Sequence, residues 1–275
     1  MKSIHILALI LTLFSVSASS QTLPDRWSII DEHVIASGRT KNDKFYDVEK
    51  LEEIRIYFNQ SNYWNLLTNN YASKTDILAT VVYDGVTYDS VGVRFKGQTS
   101  YRMSTGQKKS FNITMDYKIS DQKLQGYKTL NLNNAFEDPA LMREVLYYSV
   151  IKRHTEALQS NFIRLYINDV YWGLYNNTQQ PNKTFLGEWY VGNDGINMRA
   201  DVDSNSSGGP GGPGGPGGMW GDGTAALNYL GQDTTVYQKY YTLKSSGVED
   251  PWGKLALATK ILNTYSGNAL RDTIG

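Results

Sequence analysis

The chain has 275 residues, equal numbers of basic and acidic side chains, and no cysteine. A net charge near zero gives no argument for a nucleic-acid or anionic-membrane partner. Without cysteine there can be no disulfides, thiol catalysis or cysteine-bound metal centre. Only His33 and His154 follow the first twenty residues, which argues against a histidine zinc site or a Ser-His-Asp triad.

Residues 1–20 have the pattern of a secretory signal peptide. A charged start at Lys2 precedes an apolar stretch at 6–14 and small residues at 18–20. That stretch is too short to span a bilayer, and no later segment is long enough to do so. We therefore expect an exported protein without a membrane span, secreted or in the cell envelope, with residues 21–50 as a lead-in.

Residues 51–207 are predicted to be β-rich. Alternating apolar residues or β-favouring runs indicate strands at 54–58, 78–83, 86–88, 91–96, 110–117, 129–133, 161–167 and 170–175. Asp84-Gly85 and Asn168-Asp169 each predict a tight hairpin turn between two of these strands. Short helices are predicted at 61–67 and 183–190.

The segment 140–151 is predicted to be a helix buried on most faces, because it is apolar almost all the way round. Asp138-Pro139 suits its first turn. A buried Glu144 needs a partner from elsewhere, and the basic strands at 91–97 and 108–114 could supply one. A structural ion pair is the simpler interpretation, but kinases hold a phosphate-binding lysine with the same kind of pair.

Two cations, Arg94 and Lys96, fall on the same side of their strand by alternation. Such a pair could hold phosphate oxygens, or it could simply lie on a solvated strand face.

The Gly/Pro-rich segment 208–218 predicts a flexible loop, since it has nothing apolar to bury. After it, 237–243 and 252–262 are predicted to be helical, so 219–275 is expected to begin a helical part. The predicted fold class is α+β: a β-rich first part with one buried helix, followed by that helical part.

Six segments in series resemble the CotH family, the spore-coat-type secreted kinases. They lie at 92–100, 109–113, 130–134, 138–144, 162–168 and 171–175. The resemblance implies an atypical protein-kinase-like fold and phosphate transfer from ATP, with Mg²⁺ or Mn²⁺, to Ser or Thr of an exported or cell-surface protein. It also implies that Arg94, Lys96 and Lys109 face the nucleotide phosphates and that Glu144 anchors one of the lysines.

The chain departs from the family pattern at several points. Gln179 stands where the pattern has Glu, and Arg199 where it often has Lys. The resemblance places the family's metal-holding and catalytic aspartates beyond Gly275, so no catalytic residue or metal ligand is assigned. We expect either a fragment or a natural short form that cannot catalyse alone.

The sequence is also compatible with a different function. The chain could be a non-catalytic secreted surface or adhesion module, in which Tyr- and Trp-rich strands bind a protein partner. Gln179 and the unassigned carboxylates favour that alternative. A carbohydrate-binding β-domain is a third possibility, supported only by aromatic content. The oligomeric state is not predicted.

Overall fold

The computed structural model describes residues 27–30, 33–36, 45–152, 154–190, 194–200 and 225–274. The predicted signal peptide at 1–20 and the Gly/Pro-rich segment 208–218 lie outside these residues. The described part mixes α and β structure with a sheet-rich body, as predicted. The strands are β1 Trp27–Ile30, β2 His33–Ala36, β3 Glu52–Tyr57, β4 Ile77–Tyr83, β5 Val86–Lys96, β6 Ser110–Thr114, β7 Thr129–Asn133, β8 Ser160–Ile167, β9 Val170–Gln179, β10 Asn197–Ala200 and β11 Tyr241–Ser245. The helices are α1 Tyr63–Asn69, α2 Thr99–Met103, α3 Arg143–Ile151, α4 Lys183–Trp189, α5 Thr234–Tyr237, α6 Pro251–Thr264 and α7 Gly267–Ile274.

Seven strands close into a barrel in the order β3-β4-β5-β6-β7-β9-β8. Neighbours are antiparallel except β3 and β8, whose parallel pairing completes the closure. Both predicted hairpin turns are confirmed, with φ of 49° and 72° at Asp84-Gly85 and 47° and 65° at Asn168-Asp169. Two successive positive φ angles match the right-handed twist of the flanking strands, which is why Asn, Asp and Gly are used there.

Strand β5 joins two segments that the sequence analysis separated. Ser90 has a φ of 57°, and the pairing of β4 with β5 shifts between Ala79 and Val81. A bulge of this kind bends a strand without ending it.

The barrel interior is apolar because alternate side chains of each strand point inward. Buried inward-facing residues of the central strands include Val93, Phe95, Phe111, Ile113, Leu130 and Leu132. Leu67 of α1 belongs to the same core, as does Phe45, which precedes β3. The opposite faces of these strands are therefore free to carry polar residues.

The prediction of a mostly buried helix at 140–151 is wrong. Helix α3 begins at Arg143 rather than at 140, and only Val145 is buried within it. Leu146, Tyr147 and Val150 are 50%, 61% and 55% exposed. The barrel turns its apolar side chains inward and presents a polar outer surface, so α3 has apolar partners on only a narrow strip.

The prediction of a helix at 237–243 is also wrong. Helix α5 ends at Tyr237, and Tyr241–Ser245 form β11, which pairs antiparallel with β10. Aromatic and β-branched residues such as Tyr241 and Thr242 favour strands where an edge is available. Tyr237, Tyr241 and Ala256 form a small separate core. The segment predicted at 252–262 is helical, as α6.

Candidate functional site

The outer face of β5, β6, β7 and β9 is polar yet largely covered. Strand pairing aligns Arg94 with Asn112, Asn112 with Asn131, and Asn131 with Thr178. A second row runs from Lys96 and Ser110 to Asn133 and Asn176. The buried members of this face are Ser110, Asn112, Asn131, Asn176 and Thr178. Polar side chains on a covered surface need hydrogen-bond partners, and the groups that bind these side chains define the candidate site.

Lys96 ends β5 and extends into this face. Its Nζ donates a hydrogen bond to Asn133 Oδ1 at 2.9 Å. Burial lowers the pKa of Lys96 to about 8, with the nearby Glu144 carboxylate opposing the shift and Arg94 adding to it. The side chain is therefore a half-buried cation whose hydrogen-bonding capacity is mostly unused by the described residues.

Glu144 lies in the first turn of α3, where a carboxylate suits the helix dipole. Its Oε1 accepts hydrogen bonds from Asn133 Nδ2 at 2.7 Å and Thr178 Oγ1 at 2.8 Å. Asn176 Nδ2 is a longer contact of 3.5 Å to Oε2. Among the described residues, Glu144 forms no direct ion pair with a cation of the basic strands, which differs from the expectation. The Asn133 amide lies between the Glu144 carboxylate and the Lys96 ammonium.

Arg94 shares the face with Lys96, as alternation predicted, and has a partner that the sequence analysis missed. Its Nη1 pairs with Asp76 Oδ1 at 2.8 Å, and Asp76 Oδ2 accepts from Thr114 Oγ1 at 3.1 Å. A Cβ at Gly92 would lie 2.8 Å from Asp76 Oδ2, so only glycine permits this approach. Asp76 directly precedes a strand, and no sequence pattern linked it to Arg94.

Lys109 is held elsewhere. Its Nζ donates to the main-chain oxygens of Tyr101 at 3.0 Å and Ser104 at 2.6 Å, and lies 5.0 Å from the Tyr101 ring centre. These contacts satisfy carbonyl groups at the end of α2, as a cation at a helix C-terminus commonly does. The structure therefore brings Arg94, Lys96 and Glu144 to one face and gives Lys109 a different set of partners.

Asparagines of the central strands are the site residues that sequence reasoning did not single out. Asn133 bridges Lys96 and Glu144, and Asn112 Nδ2 donates to Asn131 Oδ1 at 3.0 Å. Asn112 Oδ1 and Asn176 Oδ1 are buried without a hydrogen-bond partner among the described residues. The alternation in 129–133 already placed Asn131 and Asn133 on one side of a strand, which was the available signal.

No metal ligand set emerges from the part of the chain that the structure describes, where no group of three His, Asp or Glu side chains could hold an ion. Gln179, the departure noted above, donates through Nε2 to Glu188 Oε2 at 2.7 Å. Arg199 is exposed and lies in β10, a strand outside the barrel.

The chain matches a model of a known protein family. The family model described as CotH kinase protein matches residues 93–275, roughly two thirds of the chain. Arg94, Lys96, Lys109 and Glu144 all lie in the matched region, whereas Asp76 precedes it. No curated protein matches the chain. None of the helices among the described residues is long and apolar enough to cross a membrane. Because the family model covers well over half of the sequence, the chain belongs to the CotH kinase protein family.

Proposed function

We propose that this chain carries the nucleotide-phosphate half of a CotH-type protein kinase. The proposed reaction is phosphate transfer from ATP to Ser or Thr of an exported or cell-surface protein. The observation that supports it best is the half-buried Lys96, which faces Glu144 across the Asn133 amide. The proposed fold is the atypical kinase-like one, with the polar outer face of the barrel turned toward the nucleotide.

The residues at Lys96 fit an anionic phosphate group. A lysine ammonium has three donors, and the described residues supply Lys96 with a single acceptor, Asn133 Oδ1. A half-buried cation gains more from an anion than an exposed one does, because the local dielectric is lower than that of water. Arg94 uses one nitrogen to reach Asp76, and its guanidinium retains further donors for a second phosphate oxygen.

When bound, ATP would supply the transferable phosphoryl group, and the accompanying Mg²⁺ or Mn²⁺ would neutralise part of the phosphate charge. Toward that group, Lys96 and Arg94 donate hydrogen bonds and Glu144 keeps Lys96 in place through Asn133. The unpartnered oxygens of Asn112 and Asn176 can accept from a donor on the ligand or from water. Lys109 contributes indirectly in this proposal, by holding the loop that follows Gly97.

The cellular setting is part of the proposal. Residues 1–20 direct the chain to the cell envelope or the medium, where an exported protein is the phosphate acceptor. No residue is assigned to orient the acceptor hydroxyl.

Thermal unfolding with and without Mg-ATP tests the proposal. A ligand that binds only the folded state adds about 2.7 kcal/mol at a hundredfold excess over its dissociation constant. We expect Lys96→Ala to lose this stabilisation and Lys123→Ala, which removes the same charge from an exposed site, to keep it. An equal rise in midpoint for Lys96→Ala and the wild type would contradict the proposal.

A second function, a non-catalytic surface or adhesion module, is favoured by the exposed apolar face of α3. Met142, Leu146 and Val150 lie four residues apart and are all exposed, with Tyr147 beside them. If this function holds, Mg-ATP leaves the unfolding midpoint of the wild type unchanged. Replacing Leu146 and Tyr147 by Ser would then abolish retention of the folded chain on whole cells.

A further inference from the structure

A buried carboxylate lies near the site and is not used by the proposed function. Glu188 of α4 is only 6% exposed. Its Oε1 accepts from Tyr127 Oη at 2.9 Å, and its Oε2 accepts from Gln179 Nε2 at 2.7 Å and Gln159 Nε2 at 3.0 Å. Among the described residues no Lys, Arg or His forms an ion pair with it. A buried carboxylate held only by neutral donors is costly, which calls for an explanation.

The two glutamines are held in one orientation by further bonds. Gln159 Nε2 also donates to Tyr127 Oη at 2.9 Å, and Gln179 Oε1 accepts from the main-chain N of Gln159 at 3.1 Å. The main-chain N of Gln179 in turn donates to the Gln159 carbonyl at 2.9 Å. Glu188 therefore clamps the place where β8 begins and β9 ends. We call Glu188, Tyr127, Gln159 and Gln179 the Glu188 clamp.

The residues next to the two glutamines point to the other side of the sheet, because side chains alternate along a strand. Ser160 follows Gln159, Thr178 precedes Gln179, and their hydroxyl oxygens lie 2.9 Å apart. Thr178 Oγ1 then donates to Glu144 at 2.8 Å. The backbone that the clamp fixes on one side thus carries the hydroxyl that fixes Glu144 on the other.

We propose that Glu188 is a positioning residue for Glu144 and, through Asn133, for Lys96. The effect passes from the Glu188 clamp through the backbone of β9 to Thr178, and from there to the Glu144 carboxylate. This positioning is a property of the folded chain, and only its consequence for nucleotide binding rests on the proposed function.

Selective acylation of lysines, quantified for each lysine by mass spectrometry, tests the proposal without nucleotide. Glu188→Gln replaces one accepting carboxylate oxygen by an NH₂ group. That group would face the donors that now bind the carboxylate, so at least one hydrogen bond of the clamp is lost. We expect acylation of Lys96 to accelerate about tenfold, since losing a hydrogen bond to a charged group eases local opening by about that factor. Lys109, held by its own carbonyl partners in the same barrel, should keep its wild-type rate, as should exposed Lys123.

A charge-swapped variant separates positioning from general loosening. Gln179→Glu combined with Glu188→Gln puts one carboxylate and one amide back into the pair. We expect its Lys96 acylation rate to fall back toward the wild-type value. Tyr127→Phe removes one donor to Glu188 and one acceptor of Gln159 Nε2 but leaves the carboxylate and its two glutamine donors. It should fold more readily than Glu188→Gln and should raise the Lys96 rate by a smaller factor.

Several outcomes would overturn the positioning role. One is an unchanged Lys96 rate in Glu188→Gln when the protein still melts cooperatively. Another is an equal acceleration at Lys109, and a third is no recovery in the swapped variant. If Glu188→Gln does not fold, an acylation rate of Lys96 in Tyr127→Phe equal to the wild-type rate would also overturn the positioning role. If acylation behaves as expected but Mg-ATP stabilises none of the proteins, the positioning role stands and the nucleotide function fails.

Discussion

The barrel body, residues 45–190, and the C-terminal region, residues 225–274, are stabilised in different ways. The barrel encloses a large apolar core that reaches from Phe45 to Tyr175. Among its described side chains, the C-terminal region has a small apolar core of Tyr237, Tyr241 and Ala256, supported by local hydrogen bonds and helix caps. The candidate site lies on the barrel, where rigid strands can hold a half-buried cation in place. The difference implies that the two regions can be perturbed separately.

The largest loss of stability is expected from a substitution in the barrel core. Phe111 is fully buried between the Phe95 and Tyr175 rings, at 5.3 and 6.0 Å between centroids. Phe111→Ala should lower the free energy of unfolding by about 3–5 kcal/mol, because it removes apolar contacts and leaves a cavity. Urea unfolding monitored by circular dichroism measures this loss. A loss under 1 kcal/mol would show that the barrel core is not the main source of stability.

Lys96→Met should stabilise the barrel at neutral pH. Burial lowers the pKa of Lys96 to about 8 from an ordinary value of 10.5. The unfolded chain therefore binds more protons than the folded chain between these pH values, and wild-type stability rises with pH across that interval. The gain from Met is largest below pH 8, at most roughly 3 kcal/mol, and shrinks toward pH 10.5.

Urea unfolding of the wild type and Lys96→Met at several pH values between 7 and 10.5 checks this dependence. Lys123→Met is the matched control, because it removes an exposed lysine from the same region. A constant stability difference between Lys96→Met and the wild type over the whole pH range would contradict the lowered pKa of Lys96.

Tyr237→Phe should affect the C-terminal region alone. The Tyr237 hydroxyl accepts from the main-chain N of Leu230 at 2.9 Å and lies 3.1 Å from the Gly231 carbonyl and from Thr259 Oγ1. Its removal leaves buried groups unpaired and should cost that region about 1–2 kcal/mol. Hydrogen exchange should speed up in residues 225–264 and stay unchanged in the barrel strands. Faster exchange in both regions would show that they open together.

The smallest effect is expected at Lys128 on the barrel surface. Lys128 pairs with Asp116 at 2.9 Å and Asp121 at 2.8 Å, and its side chain is 38% exposed. Exposed ion pairs contribute little to stability, so Lys128→Ala should lower the urea midpoint only slightly. Unfolding in 1 M NaCl should reduce even this difference. A loss comparable to that of Phe111→Ala would overturn the view that the barrel depends on its core.

Local patterns predicted much of the barrel. Alternation located its central strands, and the dipeptides Asp84-Gly85 and Asn168-Asp169 located two turns. These features depend on residues close together in the chain, so the sequence contains the whole signal. Alternation also placed Arg94 and Lys96 on one side of a strand. Alternation could not show that Arg94 forms an ion pair with Asp76, or that Lys109 donates hydrogen bonds to main-chain carbonyl groups.

The two wrong helix predictions, at 140–151 and 237–243, have a common cause. An apolar helix is buried only if apolar surfaces face it, and α3 faces a barrel whose outer side is polar. Tyr241–Ser245 became a strand because β10, more than forty residues earlier, offers it an edge. In both cases the outcome depended on a distant partner that no local window contains.

The amino-acid sequence by itself determined the β-rich character of the body, two of its turns, the pair of cations on β5 and the resemblance to the CotH family. The tertiary structure alone decided closure of the barrel by β3 and β8, the bridge from Lys96 through Asn133 to Glu144, and the Glu188 clamp behind it. The physical reason is the range of the interactions. Periodicity and turn geometry act within a few residues, whereas barrel closure and burial of a charge join residues far apart in the chain.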